Sequence, residues 1–125
     1  MVDYIKRVLE DFPEVITGRS TIPADNYMFQ VRPEDDWMLL YEVRATSLHH
    51  TLAQTLFFIP RASRDTKMAI YFLCTQVRIP DKDGWGKLVR VLRYIKVTLY
   101  LLLIIRPNSL NVIKWWFDAS FTAHP

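Results

Sequence analysis

The chain has 125 residues, half of them hydrophobic and 23% charged, with a net charge of +3. That is the size and balance of one ordinary domain, and it excludes a disordered or low-complexity chain. Its single cysteine excludes a disulfide framework and fits a reducing compartment, while the mild positive charge suits a polyanionic partner without specifying one.

Val2, Ile5, Val8, Leu9 and Phe12 recur at three- and four-residue intervals, with Asp3, Lys6, Arg7 and Glu10 between them. This spacing predicts an amphipathic helix that Pro13 ends. Acids stand among the bases here, and no long apolar run follows, so the start does not read as a secretory leader. The expected location is intracellular, cytoplasmic or nuclear. From Glu14 to Arg44 no period is sustained, and Gly18, Pro23 and Pro33 punctuate the tract. It reads as a long connection with a short strand at Met28 to Val31. A second helix is expected from about Ser47 to Ile59, interrupted at Pro60, which lacks a backbone donor. A third covers "DTKMAIYFLCTQVRI", with Asp65 as N-cap and Met68, Phe72 and Ile79 on one stripe.

The fourth helix is the clearest. Asp81 or Asp83 caps it, and Trp85, Leu88, Val89, Leu92 and Ile95 form its inward stripe. Lys87, Arg90 and Arg93 fall on the other side, with Lys82 before and Lys96 after. The period then changes. "LYLLLII" and "LNVIKWWFD" read as two strands around the turn-forming "RPNS". The apolar tract Val97 to Ile105 is far shorter than the roughly 20 residues a membrane-spanning helix needs.

Most catalytic signatures are missing from the sequence. Three glycines build no phosphate-binding loop, and no serine sits in a nucleophile elbow. His49 and His50 are adjacent, so on a helix their rings point about 100° apart, which disfavours a shared metal. Glu34, Asp35 and Asp36 read as solvated charge, and Cys74, inside "AIYFLCTQV", reads as core rather than reagent. The features left are the basic face of the fourth helix, which charge alone reads as a solvated face and which also suits a phosphate backbone, and Asp118. A strand-borne carboxylate is how several nucleases hold Mg²⁺, and an ordinary turn residue is the alternative.

Taken in order, "YIKRVLEDF", "STIP", "LHHTLAQTLFFIPRASRD", "AIYFLCTQVRIPDKDGWGKLVRVLRYIKVT" and "VIKWWFDASFTAHP" resemble the polyprotein of copia-type LTR retrotransposons. The matching region runs from the reverse transcriptase thumb and connection into the first strand of ribonuclease H. Trp85, Lys87, Arg93, Tyr94, Lys96 and Thr98 stand where that family has its "Trp…Lys…Leu-Arg-Tyr-Leu-Lys-Gly-Thr" tract. Val97 replaces the glycine of that tract, and Arg64-Asp65-Thr66-Lys67 replaces "Arg-Pro-Asp-Ile".

The resemblance implies an α+β fragment. Residues 1–46 would form a thumb-like helix and long connection, residues 47–98 a helical connection segment, and residues 99–125 a β-hairpin beginning an incomplete ribonuclease H-like sheet. It implies that Lys87, Arg90 and Arg93 touch nucleic-acid backbone and that Asp118 is the first Mg²⁺ carboxylate. In the parent enzyme the partner would be an RNA–DNA hybrid and the cofactor Mg²⁺. The polymerase "Tyr-x-Asp-Asp" turn and the later nuclease carboxylates do not occur in this sequence, so neither metal nor catalysis is expected of the fragment alone, and no membrane role is expected. Exposed apolar strands at Leu101 to Ile105 and Trp115 to Phe117 would favour self-association. The rival reading is a small helical module that binds protein or nucleic acid, with no catalytic ancestry.

Overall fold

The computed structural model describes residues 1–101, 109–113 and 115. Four helices make up its frame: α1 (Val2–Asp11), α2 (Glu42–Ala62), α3 (Lys67–Thr75) and α4 (Lys82–Val97), with short 3₁₀ turns at Glu34–Asp36 and Arg64–Thr66. The α+β expectation is overturned: the described residues contain four helices and no strand. Where the first hairpin strand was expected to start, Thr98, Leu99 and Tyr100 form a turn, closed by the Leu101 amide donating to the Thr98 carbonyl at 3.0 Å. Leu110 and Asn111, at the start of the second, are also in a turn. Most of the remaining hairpin lies outside the described residues. The short strand expected at Met28 to Val31 is absent too. Residues 26–29 turn instead, and the Asp25 carboxylate accepts from the Met28 amide at 3.1 Å.

The core follows from the helical stripes. Ile5, Val8 and Phe12 enter it from the α1 end. Leu48, Leu52, Phe58 and Ile59 come from α2, and Trp85, Leu88, Val91, Leu92 and Ile95 from α4. Helix α3 packs between α2 and α4, while α1 closes against both. Its buried side chains are Ala69, Ile70 and Leu73, and Met68 is exposed, so the expected Met68–Phe72–Ile79 stripe is out of phase. Almost every residue of "MAIYFLC" is apolar, which leaves the period without a polar face to set its phase.

Helix boundaries also shift. Helix α2 starts at Glu42 rather than Ser47 and continues through Pro60 to Ala62. Pro60 sits in the last turn, where only one internal bond is forgone, and the fully buried Phe58 and Ile59 hold that turn on the core. The Arg61 guanidinium donates to the Phe57 carbonyl at 2.7 Å nearby. Helix α3 stops at Thr75, and residues 76–78 turn before Pro80. Asp65 does not cap α3; it lies in the preceding 3₁₀ turn and accepts from the Tyr94 hydroxyl of α4. Of the two candidate caps for α4, Asp81 takes the role, with Oδ1 accepting from the Gly84 amide at 2.8 Å.

Candidate nucleic-acid interface

The long connection between α1 and α2 has little regular structure, yet it is tied down along its length, and α4 supplies most of the ties. Lys96 Nζ donates to the Ile16 carbonyl at 2.7 Å. Arg90 pairs with Asp25 at 3.0 Å, and Lys87 Nζ donates to the Gln30 carbonyl at 2.5 Å. At the start of α4, the Lys82 amide donates to the Met38 carbonyl at 2.8 Å, and Leu39 bridges Asp81. Ile16 and Met28 are the apolar anchors of the same wrap. Basic side chains read from sequence as a solvated face therefore hold an irregular segment against the helix.

Lys87 is the extreme case. Only 6% of its side chain is exposed, and it pairs with Asp83, itself 8% exposed, at 2.9 Å. The ammonium also lies over the rings of Tyr27 and Phe72. The Asp83 carboxyl receives the Tyr27 hydroxyl as well and has Arg32 at 3.7 Å. Burial pushes this carboxyl up, but the hydrogen bonds from Tyr27 and Lys87 and the charges of Lys87 and Arg32 outweigh it and hold it below the usual carboxylate value. Asp83 is thus ionised at neutral pH, and Lys87 is committed to it.

The rest of the basic face is more open. Lys82, Gly86, Arg90 and Arg93 follow one another at i, i+4, i+8 and i+11, within about 80° of arc and over roughly 16 Å of helix. They line a groove of about 600 Å³ whose far wall includes Asp25, Tyr27 and Arg32. Gly86 leaves its middle open, since a β-carbon there would meet nothing within 4 Å. The Arg90–Asp25 pair is more than one-third exposed at both ends. Arg93 makes no ion pair among the described residues, and the Nε atoms of Arg90 and Arg93 are buried without a hydrogen-bond partner there. The groove carries five cationic side chains against two carboxylates, an excess of positive charge.

So the structure brings Lys87, Arg90 and Arg93 to one groove but gives them different positions: Lys87 lies inside its wall, and Arg90 and Arg93 lie on its surface. Sequence reasoning missed Arg32 and Gly86. Gly86 had a signal, since it lies one turn from both Lys82 and Arg90. Arg32 had none, because it sits in an aperiodic connection. Tyr94, the one aromatic on the basic side, is buried and bonded to Asp65, so it offers no stacking face.

The other sequence candidates have plain structural places. His49 Nε2 bonds the Val77 carbonyl at 2.8 Å, joining α2 to the turn after α3, and His50 is exposed. Glu34, Asp35 and Asp36 form an exposed 3₁₀ turn. Cys74 is half-buried, and burial pushes its thiol up, away from the reactive thiolate. Trp85 stacks on Phe12 at 5.0 Å and donates to Glu14 at 3.1 Å, a structural junction between α1 and α4. Val97 ends α4 without positive φ, which among the described residues only Gly18 adopts. Asp118 lies outside the described residues. Among those described, no group of three or more His, Cys, Asp or Glu could hold a metal ion. No helix among them is long and apolar enough to cross a membrane.

No protein-family model, curated protein or solved structure matches the chain.

Proposed function

We propose that the chain is a segment of a retrotransposon reverse transcriptase/ribonuclease H polyprotein, and that its α4 groove holds the sugar–phosphate backbone of an RNA–DNA hybrid. The observation that carries this reading is the Lys82–Gly86–Arg90–Arg93 stripe. It lies within the tract that most resembles the copia-type polyprotein, and it faces a groove with surplus positive charge. Arg93, without an ion-pair partner among the described residues, and the outer edge of Arg90 are placed to contact phosphate, with Lys82 and Arg32 extending the contact along the groove. Lys87 acts on Asp83 and the connection, and so positions the groove wall rather than touching the ligand.

In this reading the chain alone performs no polymerisation or nuclease chemistry. Asp118 would be the first carboxylate of a Mg²⁺ site in the parent enzyme, with the metal stabilising the attacking and leaving oxygens there. No chemical step is assigned to this chain. Binding of a labelled hybrid, with Lys82→Glu, Arg90→Glu and Arg93→Glu variants, tests the groove. Affinity should fall for each variant, and a hybrid affinity indifferent to all three would end the proposal.

A further inference from the structure

A second cavity opens beside the groove. Its volume is about 200 Å³, and it lies between the connection, the end of α3 and the start of α4. Arg32, Asp83 and Lys87 line both spaces, so cavity and groove lie on either side of those side chains. The cavity has aromatic walls in Trp37 and Phe72. Both rings are held in place: Trp37 Nε1 donates to the Arg32 carbonyl at 2.9 Å, and Phe72 meets Phe29 edge-on at 5.5 Å. Its polar lining holds Gln30 and Gln76, residues whose amides can donate and accept, beside the charged Arg78 and Asp81.

We propose that this cavity receives one unpaired nucleobase of a strand whose phosphates lie along the α4 stripe; the proposal rests on the groove reading above. A volume equal to roughly seven waters suits a single heteroaromatic ring system without its sugar. Aromatic rings beside amides and charged groups match how unpaired bases are read, by stacking and by hydrogen bonds to the base edge. The adjoining cations explain why the occupant is a base tethered to phosphate rather than an uncharged aromatic. A fully paired hybrid has no base to offer, so the cavity discriminates mismatched, bulged or frayed nucleic acid from perfect duplex.

The test compares two hybrids of equal length bound to the full chain, one perfectly paired and one carrying a single unpaired fluorescent purine analogue. The bulged hybrid should bind roughly tenfold more tightly, the size of one base–aromatic stack, and its fluorescence should be quenched on binding. Thr75 is exposed at the end of α3 and lines the cavity. Thr75→Trp should fill the space and abolish the preference while leaving paired-hybrid affinity unchanged, and Gln76→Ala should reduce the preference. Equal affinity for the two hybrids with unquenched fluorescence overturns this proposal and leaves the groove reading standing. Failure of both hybrids to bind overturns both.

Discussion

Lys87→Met separates a side chain that holds the fold from one that holds a ligand. Methionine keeps most of the stem and removes the ammonium. What it abandons is a buried carboxylate, Asp83, at 2.9 Å, in a pair whose two side chains are 6% and 8% exposed. Breaking such a pair from one side costs roughly 3–5 kcal/mol. Here the carboxylate retains the Tyr27 hydroxyl and the more distant Arg32, which lowers the penalty. The Gln30 carbonyl loses its donor, but Gln30 is exposed and water replaces it. The expected loss is therefore about 2–3 kcal/mol by urea denaturation, a large share of a typical domain stability of roughly 5–15 kcal/mol. Arg90→Met, which opens an ion pair more than one-third exposed at both ends, should cost at most about 1 kcal/mol. Adding Asp83→Asn to Lys87→Met should return part of the loss, because the orphaned charge is gone. A Lys87→Met protein within about 0.5 kcal/mol of the parent would refute the reasoning, since that is the range of an ordinary surface substitution.

Asp81→Ala removes the N-cap of α4 and should cost about 1 kcal/mol in the same assay, with Asp81→Asn close to neutral. The Tyr94 hydroxyl, bonded to Asp65 and buried beside its charge, is pushed up to about 12. Its folded value lies above its unfolded one, so the stabilisation is whole below pH 10 and is lost as pH rises towards 12. Tyr94→Phe should accordingly lose about 1 kcal/mol at neutral pH, with solvent at the exposed Asp65 limiting the effect, and should flatten the alkaline decline. A decline in Tyr94→Phe as steep as the parent's would contradict that assignment. Leu101 and Trp115 are 68% and 75% exposed, so sedimentation should show concentration-dependent association that the double change Leu101→Lys and Trp115→Lys reduces. Association unchanged by that pair would place the sticky surface elsewhere.

Helix α4 was legible because its apolar and charged positions separate cleanly. Its stripe of Trp85, Leu88, Leu92 and Ile95 and its aspartate cap both follow from that pattern. Helix α1 was legible for the same reason. Helix α3 was placed but mis-phased, since a uniformly apolar segment gives no direction to its burial. The two strands were read from apolar, β-favouring runs. Where those runs begin, at Leu99 and Leu110, the backbone turns instead. Propensity over so few residues is a weak constraint.

The site was half legible. The helical wheel grouped Lys87, Arg90 and Arg93 because it measures angle around α4, and angle alone cannot reveal what covers that face. The covering segment has no period, so nothing in it announced that Asp25, Gln30 and Ile16 would engage three of the helix's basic side chains. The same blindness hid Arg32 and Trp37, which define the groove wall and the adjoining cavity. Side chains whose roles depend on a distant irregular segment are the ones that local pattern reasoning places last.

The proposed α4 groove would bind a nucleic-acid backbone through Lys82, Arg90 and Arg93. The measurement that tests it most directly is the salt dependence of affinity for a paired RNA–DNA hybrid, for the parent chain and for single substitutions to glutamine. Affinity should fall steeply with salt, with the slope of log K against log salt reduced by about 1 for each of Lys82→Gln and Arg93→Gln. Lys87→Gln should weaken folding without that specific change of slope. Affinity that ignores salt, or a slope altered by Lys87→Gln and untouched by the other two, would contradict it.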